Sequence, residues 1–539
     1  MALALIFVLA ILGAGSGRCA APEKTIRKLA SLAPLPQLSA SMALGSEQIA
    51  WPDLIFSTNE MVSRAERLRK ELDGTPADGE RHYEIARLLK LAQRGPAAVV
   101  AFSNAASIYR PRAEARPADG ALQARFADML GEIGQAEEAE HLMRAALKRI
   151  PNDWHGHAEL GALLGGRALR LVLGTNAATH ARGMATMAGI PDVAFKPPAA
   201  AVEEALRWHA EAVQCFNRAV ELAPKEPGAW LARALHRIFA GMFQQAIDRA
   251  RDQPRARPLN TFDFMSSDAI CADWEQVARL SPTNHAAIGY WGWSEALPAL
   301  MQAGEDKPID SLTGRRRRYL LESMRMLEQL TDRGPARSAA AAWETTGMLR
   351  AAMFRDAPGA IAAFRRATEI DPARRNAWEC LAGLTASEDR PSELITVCEE
   401  QLKHHDTARS RIMLTKAFDK AGQHEKALAQ ARLAVRKEPG DLAAQLSAAA
   451  LHLRRAAEPG YGHPWNDHLY AASRLVDELP EVERGSALVV NWLVLGAVAF
   501  GVDGDPAAAR RALRKAMTFD AADHDCRERM KEIETALGR

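Results

Sequence analysis

The sequence predicts an all-α fold: an α-solenoid of stacked helix-turn-helix units with inserted loops. Three observations carry that prediction. Residues Gly120–Asp153, GALQARFADMLGEIGQAEEAEHLMRAALKRIPND, encode two short amphipathic helices either side of Gly134. Gly, Ala, aromatic and Pro positions recur in the same register further along the chain. The 539 residues are 48% hydrophobic but only 6% aromatic, which is the composition of Ala-rich helix packing. A solenoid lengthens by adding units rather than by enlarging one core, so this length does not require several domains.

In the first window Phe126, Ala127 and Leu130 fall on one face of a first helix, and Ala139, Met143 and Ala146 on one face of a second; Pro151 ends the unit. Neither helix can bury its apolar face alone, so copies must stack. Ala127 and Ala139 are small because longer side chains at the helix crossing would overpack it, at about 1–3 kcal/mol. A degenerate unit around Ala86, Leu89, Ala98, Phe102 and Ala105 precedes this window. Trp154 opens the next, with Leu160, Gly161 and Leu164; its second helix, with Ala212, Phe216, Ala219 and Pro224, arrives after a long insertion. A unit through Trp230, Ala234 and Ala246 then loses its pattern. Trp343 and Gly347 pair with Ala360, Phe364, Ala367 and Pro372, with one extra loop residue, and Trp378, Leu381 and Ala382 follow. Leu414, Phe418, Gly422, Ala427, Ala431, Ala434 and Pro439 form a clear copy. Trp492, Leu495, Gly496, Gly504, Ala509, Leu513 and Ala516 form a terminal one.

This register resembles the tetratricopeptide repeat, over most of residues 80–525, with four or five units matching well. The resemblance implies a concave groove, lined by the first helices, that binds extended peptides of protein partners. The matching groove positions include Asp128, His155, Trp293, Asn376, Glu379, Arg409, Lys416 and Lys420, of which Arg409, Lys416, Lys420, Asn376, Glu379 and Trp293 are the candidate partner-binding set. Arg409, Lys416 and Lys420 share a stripe at helical spacing. Such a stripe holds a carboxylate or an acidic peptide through charge-assisted hydrogen bonds, or else is a solvated basic face. The groove lacks the complete two-carboxylate clamp of chaperone-tail readers, so that cytosolic role is not supported.

The expected organisation is a signal peptide or anchor at 1–21, an N-terminal extension at 22–75, and an N-terminal array at 76–250 carrying an insertion at 167–200. An irregular helical joint at 251–335 follows, then a C-terminal array at 336–525 with an insertion at 458–470, and a tail at 526–539. The start, MALALIFVLAILGAGSGRCAAPEK, has an apolar core of signal-peptide length and small residues suited to cleavage near Ala20 or Ala21, although no Lys or Arg precedes it. The expected location is therefore periplasmic or secreted. The run Ala2–Gly13 is short of the roughly 20 residues a spanning helix needs. Arg18 before Cys19 argues against a lipoprotein. The most apolar later segment, Ala487–Val502, fits the first helix of the last repeat as well as it fits a membrane.

Charge is balanced, 69 basic against 67 acidic residues, so no global field draws the chain to nucleic acid or anionic lipid. The Arg315–Arg318 run reads as a solvated helix face or a phosphate or acidic-partner site. Cys215, Cys271, Cys380, Cys398 and Cys526 show no CxxC spacing. Cys380 and Cys398 fall on paired helices of one repeat, where a bridge needs Cα atoms within about 7 Å. No phosphate loop, nucleophile elbow, HExxH or dinucleotide fingerprint occurs. No cofactor or metal is implied, and His155/His157, His404/His405 and Asp523/His524/Cys526 are poorly placed as ligand sets.

The function these readings favour is a non-catalytic protein-interaction scaffold in a bacterial cell envelope, with a secretion, pilus or polysaccharide-export assembly as its setting. The alternative is a small-ligand or glycan-binding protein, or an enzyme, built on the two insertions. The segment EPGYGHPWNDHLY gathers Tyr461, His463, Trp465, His468 and Tyr470 in a chain poor in aromatics, as a ring-binding surface or as a plug between packed helices.

Overall fold

The computed structural model describes residues 23–33, 35, 58–72, 78–91, 95–173, 197–251, 267–300, 307–333, 336–388, 390–478, 487–519 and 524–538. The proposed leader at 1–21, residues 174–196 of the first insertion and residues 252–266 of the joint lie outside them. Among the described residues there are helices and no strand. In chain order they begin with α1 (Glu23–Ser31), α2 (Thr58–Leu72), α3 (Gly79–Leu91), α4 (Gly95–Ala115), α5 (Gly120–Glu132), α6 (Ala136–Arg149), α7 (Trp154–Leu173) and α8 (Ala199–Leu222). Next come α9 (Pro227–Ala250), α10 (Asp268–Leu280), α11 (His285–Leu300), α12 (Pro308–Ser311), α13 (Gly314–Arg333), α14 (Ala336–Phe354), α15 (Ala357–Ile370) and α16 (Arg375–Ser387). The last eight are α17 (Pro391–His404), α18 (Ala408–Lys420), α19 (His424–Lys437), α20 (Leu442–Arg454), α21 (Trp465–Glu478), α22 (Ala487–Val502), α23 (Pro506–Ala516) and α24 (His524–Ala536).

Local chemistry sets the helix ends. Asp119, Ser267, Asp356, Thr407, Asp441 and Asp505 each accept a hydrogen bond from the backbone N–H three residues on, the standard satisfaction of an orphan helix donor. Between first and second helices the turn is stereotyped. Gly134, Gly422 and Gly504 take positive φ, and the next residue's N–H closes back on Leu130, Phe418 and Phe500 respectively, at 2.9, 2.8 and 2.7 Å. At the unit with the extra loop residue, Arg355 takes the left-handed position instead, with φ 47°.

The backbone forms two compact units, Ser41–Ala377, and Trp378–Arg539 together with Met1–Ala40. In the first, successive helix pairs stack through their small residues: Ala127, Ala139, Ala212, Ala219, Ala360 and Ala367 are all fully buried. The stretch read as an irregular joint contains α10, α11 and α13, packed around Trp274 and Trp291. The Arg315–Arg318 run on α13 is a largely exposed helix face, three of whose arginines also make contacts within the chain. Arg315 and Arg316 lie 3.3 Å from Asp268 and 3.8 Å from the fully buried Glu295, and Arg317 donates to the Ile309 carbonyl at 2.9 Å.

In the second unit, pairs α18/α19, α20/α21 and α22/α23 stack in order. Nearly every residue of α22 is buried, and no helix among the described residues is long and apolar enough to cross a membrane. What covers α22 is nonlocal: α1, from the start of the chain, packs on α20, α22 and α24. The tail helix α24 buries Met530 and Ile533. Cys380 and Cys398 are buried free thiols and do not bridge.

Candidate partner-binding groove

The predicted basic stripe lies on α18. Arg409 reaches back to the preceding first helix, where its Nε stands 3.5 Å from Glu379 Oε2, and both side chains are sheltered from water. This pair is the sort of cross-repeat link that fixes the inclination of one unit on the next. Lys416, two turns further along α18, is partly buried and has no acid or hydrogen-bond acceptor in contact among the described residues. Burial, then the positive charges of Arg409 and Lys420, push its ammonium down to about 7. Lys420 ends the helix and is exposed.

The acids nearby are taken. Asp419 receives Arg454 Nη1 at 2.6 Å on each oxygen and His424 at 3.1 Å. Asp406 receives Arg411 at 2.7 Å and Lys437 at 3.0 Å, which hold its carboxyl below the usual range. Asp441 is spent as the α20 cap, 2.7 Å from the Ala444 N–H. Among the described residues, Lys416 therefore carries a positive charge that no acid in contact cancels.

The other predicted residues divide. Asn376 stands one turn before Glu379 on α16. Trp293 belongs to α11 in the unit Ser41–Ala377 and packs against the Trp274/Trp291 cluster. Of the aromatic segment, Trp465 is 1% exposed and lies in the core of the C-terminal repeats, so its indole offers no face to a ligand. Tyr461 and His452 share a 2.7 Å hydrogen bond, His468 Nδ1 meets Gln445 Oε1 at 2.8 Å, and His463 Nδ1 lies 3.1 Å from Asp503. Tyr470 is exposed.

In the unit Ser41–Ala377, Asp128 borders a different environment, and His155 Nε2 lies 3.8 Å from Glu159 Oε1. A cleft of about 930 Å³ is lined by Asp128, Glu132, Glu159, Arg167, Arg170 and Glu204, among others. The Tyr83 hydroxyl donates to Asp128, and Lys90 Nζ binds Glu132 at 2.6 Å. Burial, then the adjacent Asp128, raises the Glu159 carboxyl well above the ordinary range. Glu159 was not found from sequence, because a single Glu on a first helix looks like a solvated residue until its neighbours are known. Burial pushes the thiols of Cys215 and Cys271 up to about 11, which leaves them poor nucleophiles. Among the described residues no group of three or more His, Cys, Asp or Glu is placed to hold a metal ion.

Comparison with known proteins bears on the fold. The tetratricopeptide repeat model matches residues 200–226, which cover α8 and the turn after it. No curated protein matches the sequence. Among solved structures, yeast Tom70 is 12% identical with a TM-score of 0.35, covering 85% of this chain and 95% of its own. The APC/C hetero-tetramer Cut9–Hcn1 is 14% identical with a TM-score of 0.33, covering 95% and 92%. A tetratricopeptide repeat protein from Parabacteroides merdae ATCC 43184 is 11% identical with a TM-score of 0.31, covering 55% and 98%. Residues 200–226 match a tetratricopeptide repeat, and the same helix pair, closed by the same Gly, Ala and Phe positions, recurs elsewhere along the chain.

Proposed function

We propose that this protein is a non-catalytic scaffold of a bacterial cell envelope whose C-terminal repeats take an acidic segment of a partner protein on the row Arg409, Lys416 and Lys420. One observation carries the reading: Lys416 is partly buried between two other cations with no acid in contact, and a buried ammonium is costly unless something pairs with it. An incoming carboxylate supplies that partner, and its charge-assisted hydrogen bonds are worth more in a sheltered site than in water. A leader of signal-peptide character supports placement in the envelope, and a secretion, pilus or polysaccharide-export assembly is the setting we favour.

The test is site-specific photocrosslinking from Lys416 and, as a control, from exposed Val100 in the native envelope fraction. A single stoichiometric partner crosslinked from Lys416 alone, and lost in a Lys416→Glu/Lys420→Glu chain that still folds, is the expected result. Equal capture by the charge-reversed chain rejects the basic row. Recovery of the protein in the cytoplasmic fraction, with residues 1–21 still attached, rejects the export reading.

A further inference from the structure

We propose that the groove formed by α20, α22 and α24 is a helix-binding site, that residues 23–35 are its resident ligand, and that this segment gates the site against helices of other proteins. The segment is built as such ligands are. Ile26, Leu29, Ala30 and Ala33 follow the i, i+3, i+4, i+7 spacing that lays one helix face into a groove. Leu29, Ala30 and Ala33 are fully buried, Ile26 and Leu32 partly so, while Glu23, Lys24, Arg27, Lys28 and Ser31 face water.

The groove is shaped for this occupant. On α22 a glycine leaves the space in which Leu29 sits beside Leu537: a β-carbon at Gly501 would lie 2.8 Å from Leu29 Cδ1 and 2.8 Å from Leu537 Cδ2. Arg454 then reads the end of the segment. Its Nε and Nη2 donate to the Ala33 carbonyl at 3.1 and 3.0 Å, and Arg529 reaches the Leu32 carbonyl at 3.5 Å. These carbonyls leave the end of a helix without intrahelical partners, so the arginines satisfy groups the segment cannot satisfy itself. Asp419 holds Arg454 in place from α18.

Occupancy also explains the sequence of α22. A first helix lining an open groove keeps one polar face, whereas ALVVNWLVLGAVAFGV is apolar all round, the mark of a helix covered on every side. The cover comes from a nine-residue helix, too short to be stable without the surface it rests on. Tethering gives it an effective concentration no free peptide matches, so the site stays closed until a competing helix with two large aliphatics and two small residues at the same spacing displaces it.

A protease site inserted between Pro36 and Ser46 of the full chain lets the tether be cut in the folded protein. A fluorescent peptide of residues 22–36 is then titrated, with circular dichroism reporting the fold. The cut chain should bind the peptide at least about tenfold more tightly than the uncut chain, and a Leu29→Asp peptide should lose at least about tenfold, as expected for one buried leucine. Gly501→Leu, which fills the leucine's seat, should weaken binding of the wild-type peptide in the cut chain. If the cut segment never leaves and labelled peptide never enters, residues 23–35 are a permanent part of the core and the proposal fails. Equal binding of the Leu29→Asp peptide overturns it too.

Discussion

Gly161 on α7 lies under the ring of Phe216 on α8, so close that a β-carbon on the glycine would sit 2.9 Å from Cε2. Gly347 on α14 and Phe364 on α15 repeat the relationship at 2.9 Å from Cε1. The first pair is separated by the long insertion and the second by a tight turn, yet the contact is the same. The insertion is therefore spliced into one repeat without disturbing its helix crossing.

A methyl group at either glycine must push a packed ring aside. Gly161→Ala and Gly347→Ala should each cost about 1–3 kcal/mol in chemical denaturation. Phe216→Ala, which opens a cavity at the same crossing, should cost about 3–5 kcal/mol. A neutral Gly161→Ala would mean that α7 and α8 do not form this pair.

Acid should destabilise the protein well before its carboxylates titrate. Burial, reinforced by His209 and Arg237, lowers His236 to about 3; burial and Arg374 lower His285 to about 3; burial, Arg432 and His468 lower His452 to about 4. Each of these folded-state values lies below the unfolded value of about 6.5. The folded chain therefore favours neutral imidazole, and the stability this contributes is complete above pH 6.5 and is lost progressively towards pH 3–4. His236 stacks on Phe216 at 4.5 Å and lies tilted against His209 at 5.2 Å, and its buried Nε2 has no hydrogen-bond partner among the described residues. Denaturation midpoints at pH 7.5 and pH 5 should differ clearly, and His236→Phe should narrow the difference.

Asp273 has no exposed surface and holds two arginines, Arg233 Nη2 at 2.7 Å and Arg237 Nη1 at 2.6 Å. It ties α9 to α10. Removing it leaves Arg233 only Asn217, at 3.2 Å, and Arg237 only the Ala269 carbonyl, at 2.6 Å, and takes away their one shared counter-charge, so Asp273→Ala should cost about 3 kcal/mol. The conservative Asp273→Asn, which still accepts one hydrogen bond, should cost less. Urea denaturation of the two variants side by side checks this order.

Lys416 is the reverse case, a residue whose charge works against the fold. Its folded-state value of about 7 lies below the ordinary lysine value of about 10.4, so the contribution of this side chain to stability rises with pH between them. Lys416→Met should stabilise the protein at pH 7 by on the order of 1 kcal/mol. The same change should weaken capture of an acidic partner, which separates a binding role from a packing one.

Arg355 occupies the left-handed turn position that Gly134, Gly422 and Gly504 fill elsewhere. Arg355→Gly should raise stability by about 1 kcal/mol, and thermal unfolding checks it.

The repeat architecture was legible because its determinants are local. Ala127, Gly134, Ala139 and Pro151 specify a helix, a turn, a crossing and a stop within one window, and the pattern survives a long insertion because Ala212, Phe216 and Ala219 keep their register. The Arg409, Lys416 and Lys420 stripe was visible for the same reason. Only the tertiary structure showed that Arg409 is engaged by Glu379 while Lys416 is left without an acid. Helical periodicity gives no account of what lies across a repeat boundary. Trp465 read either as part of a ring-binding surface or as a plug between packed helices, and only the structure placed it in the core of the C-terminal repeats.

The seat of α1 was furthest from reach. An amphipathic segment announces that one of its faces must be buried, but not on which surface, and Leu29 meets Gly501 only after the whole C-terminal array has assembled. Local periodicity and small-residue register determined the repeats from the sequence alone. The partnering of charges across repeats and the occupancy of the final groove were decided by contacts between residues distant in the chain, which no local pattern encodes.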